Sequence, residues 1–131
     1  MSDEPCWLTR EAVLAIHAQL LARFGGSAGI REDNMLESAL AKPRQLHAYG
    51  QPNVYEMAAA YAFGIVKNHP FVDGNKRAGF VAAYTFLGIN GFDFTAPEEE
   101  AVIFTRGLAA GEITLEEYTL WLQKSSRSTV L

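Results

Sequence analysis

At 131 residues, 49% hydrophobic and 20% charged, the chain has the size and balance of one folded domain, not of a disordered or fibrous segment. Its formal net charge of −4 argues against direct nucleic-acid binding, because such surfaces concentrate Lys and Arg. The single cysteine, Cys6, excludes an internal disulfide and a cysteine-pair zinc site, and no apolar run approaches the ~20 residues of a membrane-spanning helix. Met1-Ser-Asp-Glu-Pro5 lacks the basic start and apolar stretch of a signal peptide, so a cytoplasmic protein without membrane contact is expected. Cys6 reads as a small apolar residue beside Trp7; a nucleophile so near a frayed end is the weaker alternative.

In chain order, the first helix is expected over about Arg10–Phe24. Thr9 is suited to the N-cap, Leu8 and Val13 are spaced for a hydrophobic staple, and Val13, Ile16, Leu20 and Phe24 repeat at helical intervals, with His17 nearby. Gly25-Gly26 ends it, and Ser27–Ile30 is loop. A short helix follows over about Asp33–Ala41 with Met35, Leu36, Ala39 and Leu40 on its apolar face. Pro43 is expected to stop it, leaving residues 43–53 as loop. Val54–Asn68 is a helix apolar nearly all round, and so is a longer one over about Asn75–Asn90; both read as central. Phe92-Asp-Phe94 is extended. Helices over about Pro97–Leu108 and Leu115–Gln123 complete the pattern, the last with a Thr114/Glu117 capping box and an Ile113/Tyr118 staple. The expected fold is thus all-α: one compact domain over residues 1–131, about six helices, with residues 1–6 and 125–131 as loose ends.

The two greasy central helices are joined by a short polar loop, His69-Pro-Phe-Val-Asp-Gly-Asn-Lys-Arg77. A helix N-terminus prefers acidic residues, yet this one opens with Lys76 and Arg77, a mismatch of a few tenths of a kcal/mol each. An anion bound at the helix start would explain that choice, since free backbone N–H groups, the helix dipole and two cations would act together. Gly74 permits a tight turn and close approach of phosphate oxygens, and Asn75 can cap the helix or donate its amide to the anion. Taken alone, Gly74-Asn75 could also be only a helix-start turn with solvated cations. His69 alters the balance: Pro70 keeps it out of the preceding helix, and Asp73 lies four residues on. An imidazole beside a carboxylate and an anion site can act as a general base toward a hydroxyl. The bland readings are a structural histidine and an N-cap aspartate. Phe71 reads as an anchor pinning the loop to the core.

This nine-residue segment resembles the signature of the Fic/Doc superfamily, and with Lys76 it is most similar to the Doc (death-on-curing) branch. The Leu8–Phe24 helix with Gly25-Gly26, the Leu36-Glu-Ser-Ala-Leu40 helix and Asn90-Gly91 extend the likeness over nearly the whole chain. The resemblance implies a compact helical fold and transfer of a phosphorus group from ATP or another nucleoside triphosphate to a protein hydroxyl. It makes His69 the general base and Asp73 the ligand of a magnesium ion. Gly74, Asn75, Lys76 and Arg77 become the phosphate cradle, and Phe71 is structural. Adenylylating Fic enzymes resemble this segment but carry glycine at the place of Lys76 and a second arginine at the place of Phe80. The Doc branch implies instead a kinase-like toxin that passes the terminal phosphate to a translation elongation factor and so blocks protein synthesis. Gly74 replaces the alanine of some Doc proteins. Adenylyl transfer and a catalytically silent binding module of the same fold are the alternatives. No Ser/Thr-x-x-x-Glu-Gly/Asn run, the self-inhibiting pattern of some Fic proteins, occurs here. An antitoxin acting in trans is therefore expected. Arg23 and Glu37 are candidates to line its groove, or are plain surface charges.

Overall fold

The computed structural model describes residues 4–129. The first helix, α1 (Arg10–Phe24), begins where the Thr9 hydroxyl accepts the Ala12 N–H, and Gly25 closes it by donating its N–H to the Leu21 carbonyl. Leu8 and Val13 on either side of the cap are both buried, as a staple requires. Then come α2 (Asp33–Tyr49), α3 (Val54–Asn68), α4 (Asn75–Ile89), the short strand β1 (Phe92–Phe94), α5 (Glu98–Ala110), α6 (Leu115–Lys124) and the short strand β2 (Ser126–Ser128). Capping boxes start α3 (Asn53 with Glu56) and α6 (Thr114 with Glu117).

The centre is α3, flanked by α2 and α4 and covered by α6. Small residues make this possible. A Cβ on Gly64 would lie 3.0 Å from the Ala39 Cα, and one on Gly79 would lie 2.8 Å from Val66 Cγ1, so α3 meets both neighbours almost backbone to backbone. Leu36, Tyr61, Ile65, Phe71, Phe86 and Leu122 are fully buried around that seam. The Tyr61 hydroxyl accepts the Leu8 N–H at 3.1 Å and ties the approach to α1 onto α3. Phe80, Phe94, Phe104 and Trp121 form an aromatic cluster where α4 and β1 meet α5 and α6.

Three expectations need correction. Pro43 does not stop the second helix, which runs on to Tyr49. A proline inside a helix forfeits one hydrogen bond and crowds the preceding turn. Here Pro43 is itself buried, while Arg44 lies 5.0 Å over the Trp7 ring and His47 meets Trp7 edge-on at 5.6 Å. These tertiary contacts hold the last turns in place against local preference. The two ends are not loose within the described residues. Asn90 exchanges hydrogen bonds with the Cys6 backbone in both directions, and β2 pairs antiparallel with β1, Asp93 opposite Arg127. The remaining terminal residues, 1–3 and 130–131, lie outside the described region. No helix among the described residues is long and apolar enough to cross a membrane.

Candidate active site

The loop from His69 to Gly74 links the C-terminus of α3 to the N-terminus of α4. His69 leaves α3 in the left-handed region (φ 52°, ψ 54°), and its N–H still reaches the Ile65 carbonyl. Its imidazole is exposed and has no hydrogen-bond partner among the described residues. Phe71 is fully buried, so the middle of the loop is anchored in the core as expected. Burial of one phenylalanine side chain is worth about 1.5–3 kcal/mol. An antiparallel bridge joins Phe71 to Ile30, and the Val72 N–H donates to the Gly29 carbonyl at 3.0 Å. The loop therefore rests on the segment that follows α1.

Asn75 plays a different part from the one its position suggested. Its side chain is buried, donates to the Phe71 carbonyl at 3.0 Å and accepts the Phe71 N–H at 3.0 Å. With both amide groups engaged, it neither caps α4 nor faces an anion; it folds the loop. The cap position belongs to Gly74 (φ 79°, ψ 19°), which has no side chain to offer. An added Cβ there would meet His17 Nε2 at 3.6 Å, an ordinary contact, so the left-handed backbone is what calls for glycine.

Asp73 is exposed, and its carboxylate is held at two points. Oδ1 accepts the Gly74 N–H at 2.9 Å and Oδ2 accepts the Ser27 N–H at 3.2 Å. A Cβ on Gly26 would come within 2.8 Å of Oδ2, so the glycine pair after α1 is shaped around this aspartate. Each carboxylate oxygen accepts a second hydrogen bond or a cation through its remaining lone pair. One exposed carboxylate is the usual protein share of a magnesium site completed by substrate phosphates. No cluster of three or more His, Cys, Asp or Glu residues occurs among the described residues, so no all-protein metal cage competes with it.

Lys76 and Arg77 are both exposed in the first turn of α4, which contains no acidic residue and no side-chain cap. Neither cation forms an ion pair among the described residues. The Arg77 guanidinium instead lies 4.4 Å over the half-exposed Phe24 ring, which Arg23 also approaches at 5.1 Å. Unpaired N–H groups, the positive end of the dipole and two cations without an ion pair among the described residues thus share the first turn of α4. Phe80, one turn further along α4, turns into the aromatic cluster and adds no charge.

Two residues that brace this loop had no role in the sequence reading. His17, buried in α1, is 2.7 Å from the Asp73 carbonyl through Nε2 and stacks on Phe71 with ring centroids 3.8 Å apart. A carbonyl only accepts, so Nε2 carries the proton in this contact. A histidine on the apolar face of an amphipathic helix was the available signal. Arg31 donates from Nε to the His69 carbonyl at 2.7 Å and from Nη2 to the Asn68 carbonyl at 3.0 Å. Arg23 and Glu37 are not brought together. Glu37 shares Arg10 with Asp33 near the start of α1, whereas Arg23 lies at its end, 13 positions away or about 20 Å along the axis. Neither lines the groove of about 590 Å³ between the end of α2, α3 and the start of α6, where Leu46, Tyr49, Phe63 and Leu115 are found.

The helical domain thus presents an exposed histidine, an aspartate and a basic, uncapped helix start from one interhelical loop. The Fic/DOC family model matches residues 7–87, and the chain belongs to that family. Among relatives, it is 40% identical over 93 residues to "Toxin Doc" of Mycolicibacterium smegmatis, covering 69% of this chain and 68% of the relative. It is 30% identical over 110 residues to "Protein kinase doc" of Escherichia phage P1, covering 82% of this chain and 86% of that protein.

Proposed function

We propose that this protein is a Doc-type toxin that transfers the terminal phosphate of ATP, or another nucleoside triphosphate, to a hydroxyl of a translation elongation factor. The observation that carries the proposal is the exposed His69 imidazole on the same short loop as an uncapped helix start whose two cations have no ion pair among the described residues. Backbone N–H groups of α4, with Lys76 and Arg77, bind the phosphates. His69 accepts the proton of the target hydroxyl, its oxygen bonds to the terminal phosphorus, and the bond to the bridging oxygen breaks, releasing the nucleoside diphosphate. In-line positioning and charge stabilisation supply most of the rate in such a transfer. A magnesium ion held by Asp73 would neutralise phosphate charge during the transfer.

Phe80 favours phosphoryl over adenylyl transfer. The adenylylating relatives implied by the resemblance grip the nucleotide with an arginine there, and in this fold the position is filled by a half-buried ring packed on Phe94 and Trp121. Lys76 adds charge and bulk where those relatives carry glycine. The name of the phage relative, a protein kinase, supports the same reading. The likeness to a Doc toxin, with the absence of a self-inhibiting glutamate run, supports control by an antitoxin in trans. The test is incubation of purified protein and elongation factor with ATP labelled at the α or the γ position. Label transferred from γ only is expected. Transfer from α only would replace the kinase reading with adenylylation, and no transfer from either would refute both.

A further inference from the structure

His69 is the one non-glycine residue among those described with a positive φ. Residues with a Cβ rarely adopt this conformation, and it persists only where the surroundings hold it. Pro70 and the buried Phe71 fix the chain on one side of His69. On the other side α3 ends in carbonyls that an unassisted helix leaves without partners. Arg31 takes these carbonyls in succession: Nη2 donates to Asn68, Nε to His69 and the backbone N–H to Pro70, at 3.0, 2.7 and 2.6 Å. Its positive charge also sits at the negative end of the α3 dipole. The remaining nitrogen, Nη1, reaches only Glu32 at 3.7 Å on the surface, so the fork is committed to the α3 terminus. Among the described residues, Arg31 forms no hydrogen bond with the His69 imidazole or with the side chains of Lys76 and Arg77.

We infer that Arg31 is a positioning residue: by clamping the carbonyls of Asn68, His69 and Pro70 it holds His69 in its left-handed conformation and so aims the imidazole. This rests on the reading of His69 as the base proposed above. The planar fork matters, because it holds its Nε and Nη2 donors at a fixed spacing, whereas a lysine offers one mobile nitrogen on a flexible stem. Loss of aim at the base slows the transfer step and leaves the nucleotide-binding end of the loop intact. A misplacement of about 1 Å at a reacting group costs on the order of 100-fold in rate.

The experiment compares wild type with Arg31→Ala, Arg31→Lys and His69→Ala, all checked for a cooperative thermal transition. Steady-state phosphoryl transfer is measured over a range of ATP concentrations, and the Cα resonance of His69 is recorded by NMR. The expected result for Arg31→Ala is a kcat lower by about 100-fold with an unchanged KM for ATP. Arg31→Lys falls between it and wild type, and the His69 Cα signal shifts away from its left-handed position. A folded Arg31→Ala variant with wild-type kcat, or one changed only in KM, overturns the inference. If Arg31→Ala does not fold, Arg31→Lys gives the kinetic answer by the same criteria. Full activity in His69→Ala would instead remove the base assignment; the His69 Cα shift would then decide the clamp by itself.

Discussion

Replacement of His17 tests whether the loop is held from beneath. The imidazole makes two separable contacts, one hydrogen bond to the Asp73 carbonyl at 2.7 Å and one near-parallel stack on Phe71 at 3.8 Å. The hydrogen bond is part-buried, so its loss costs about 1 kcal/mol. The stack is worth about 0.5–1.5 kcal/mol beyond simple burial. His17→Leu removes both and is expected to destabilise the fold by about 1.5–2.5 kcal/mol. His17→Gln keeps a donor and loses the stack, and His17→Phe does the reverse, so each costs about 1 kcal/mol. For a domain of this size 1 kcal/mol corresponds to roughly 4 °C, which places His17→Leu about 6–10 °C below wild type. Thermal and denaturant unfolding give the stabilities, and amide exchange at Gly74 reports whether the loosening is local. A His17→Leu protein as stable as wild type, with unchanged exchange at Gly74, would refute the bracing role.

Two further substitutions probe the Asp73 carboxylate and the buried Tyr118 hydroxyl. Gly26→Ala forces a Cβ to within 2.8 Å of Asp73 Oδ2 at a backbone φ of 119°, so it strains the loop and pushes the carboxylate aside. A cost of about 1–2 kcal/mol and a higher magnesium requirement for transfer are expected, both read from a magnesium titration beside an unfolding curve. The Tyr118 hydroxyl is buried, which raises its pKa above the usual tyrosine value of 10.0 despite its hydrogen bond with Thr105 at 2.9 Å. Because the folded-state pKa is the higher one, this contribution is fully present below about pH 10 and is lost as the pH rises beyond it. Denaturation midpoints should fall steeply above about pH 10 in wild type and less so in Tyr118→Phe. That variant should also lose about 1 kcal/mol at neutral pH through the unpartnered Thr105 hydroxyl.

Much of the fold was legible because its helices announce themselves locally. Caps at Thr9 and Thr114 and the apolar periodicity after Thr9 act over one or two turns, and the structure places the ends of α1, α4 and α6 within a residue or two of the expected positions. Pro43 misled because its local penalty is offset by the contacts that Arg44 and His47, on the turns after it, make with Trp7, a residue more than 30 positions earlier. The strand Ser126-Arg-Ser128 carries no apolar alternation, and only its pairing with β1 makes it extended.

The site divided in the same way. The nine-residue loop was visible as a misplacement of charge, and the family resemblance assigned its residues roles. What sequence could not display was how the loop is held. Asn75 turns inward to Phe71, His17 reaches Asp73 across 56 positions, and Arg31 reaches His69 across 38. Such contacts leave no periodicity, and only the folded chain brings the partners together.

In the proposed function, the loop from His69 to Arg77 transfers a phosphoryl group with His69 as its base. The most direct measurement is the intact mass of the elongation factor after incubation with ATP, magnesium and either the wild-type protein or His69→Ala. A gain of one phosphoryl group is expected with wild type, and an unmodified factor with His69→Ala. A gain of one adenylyl group, or equal phosphorylation by both proteins, would contradict that function.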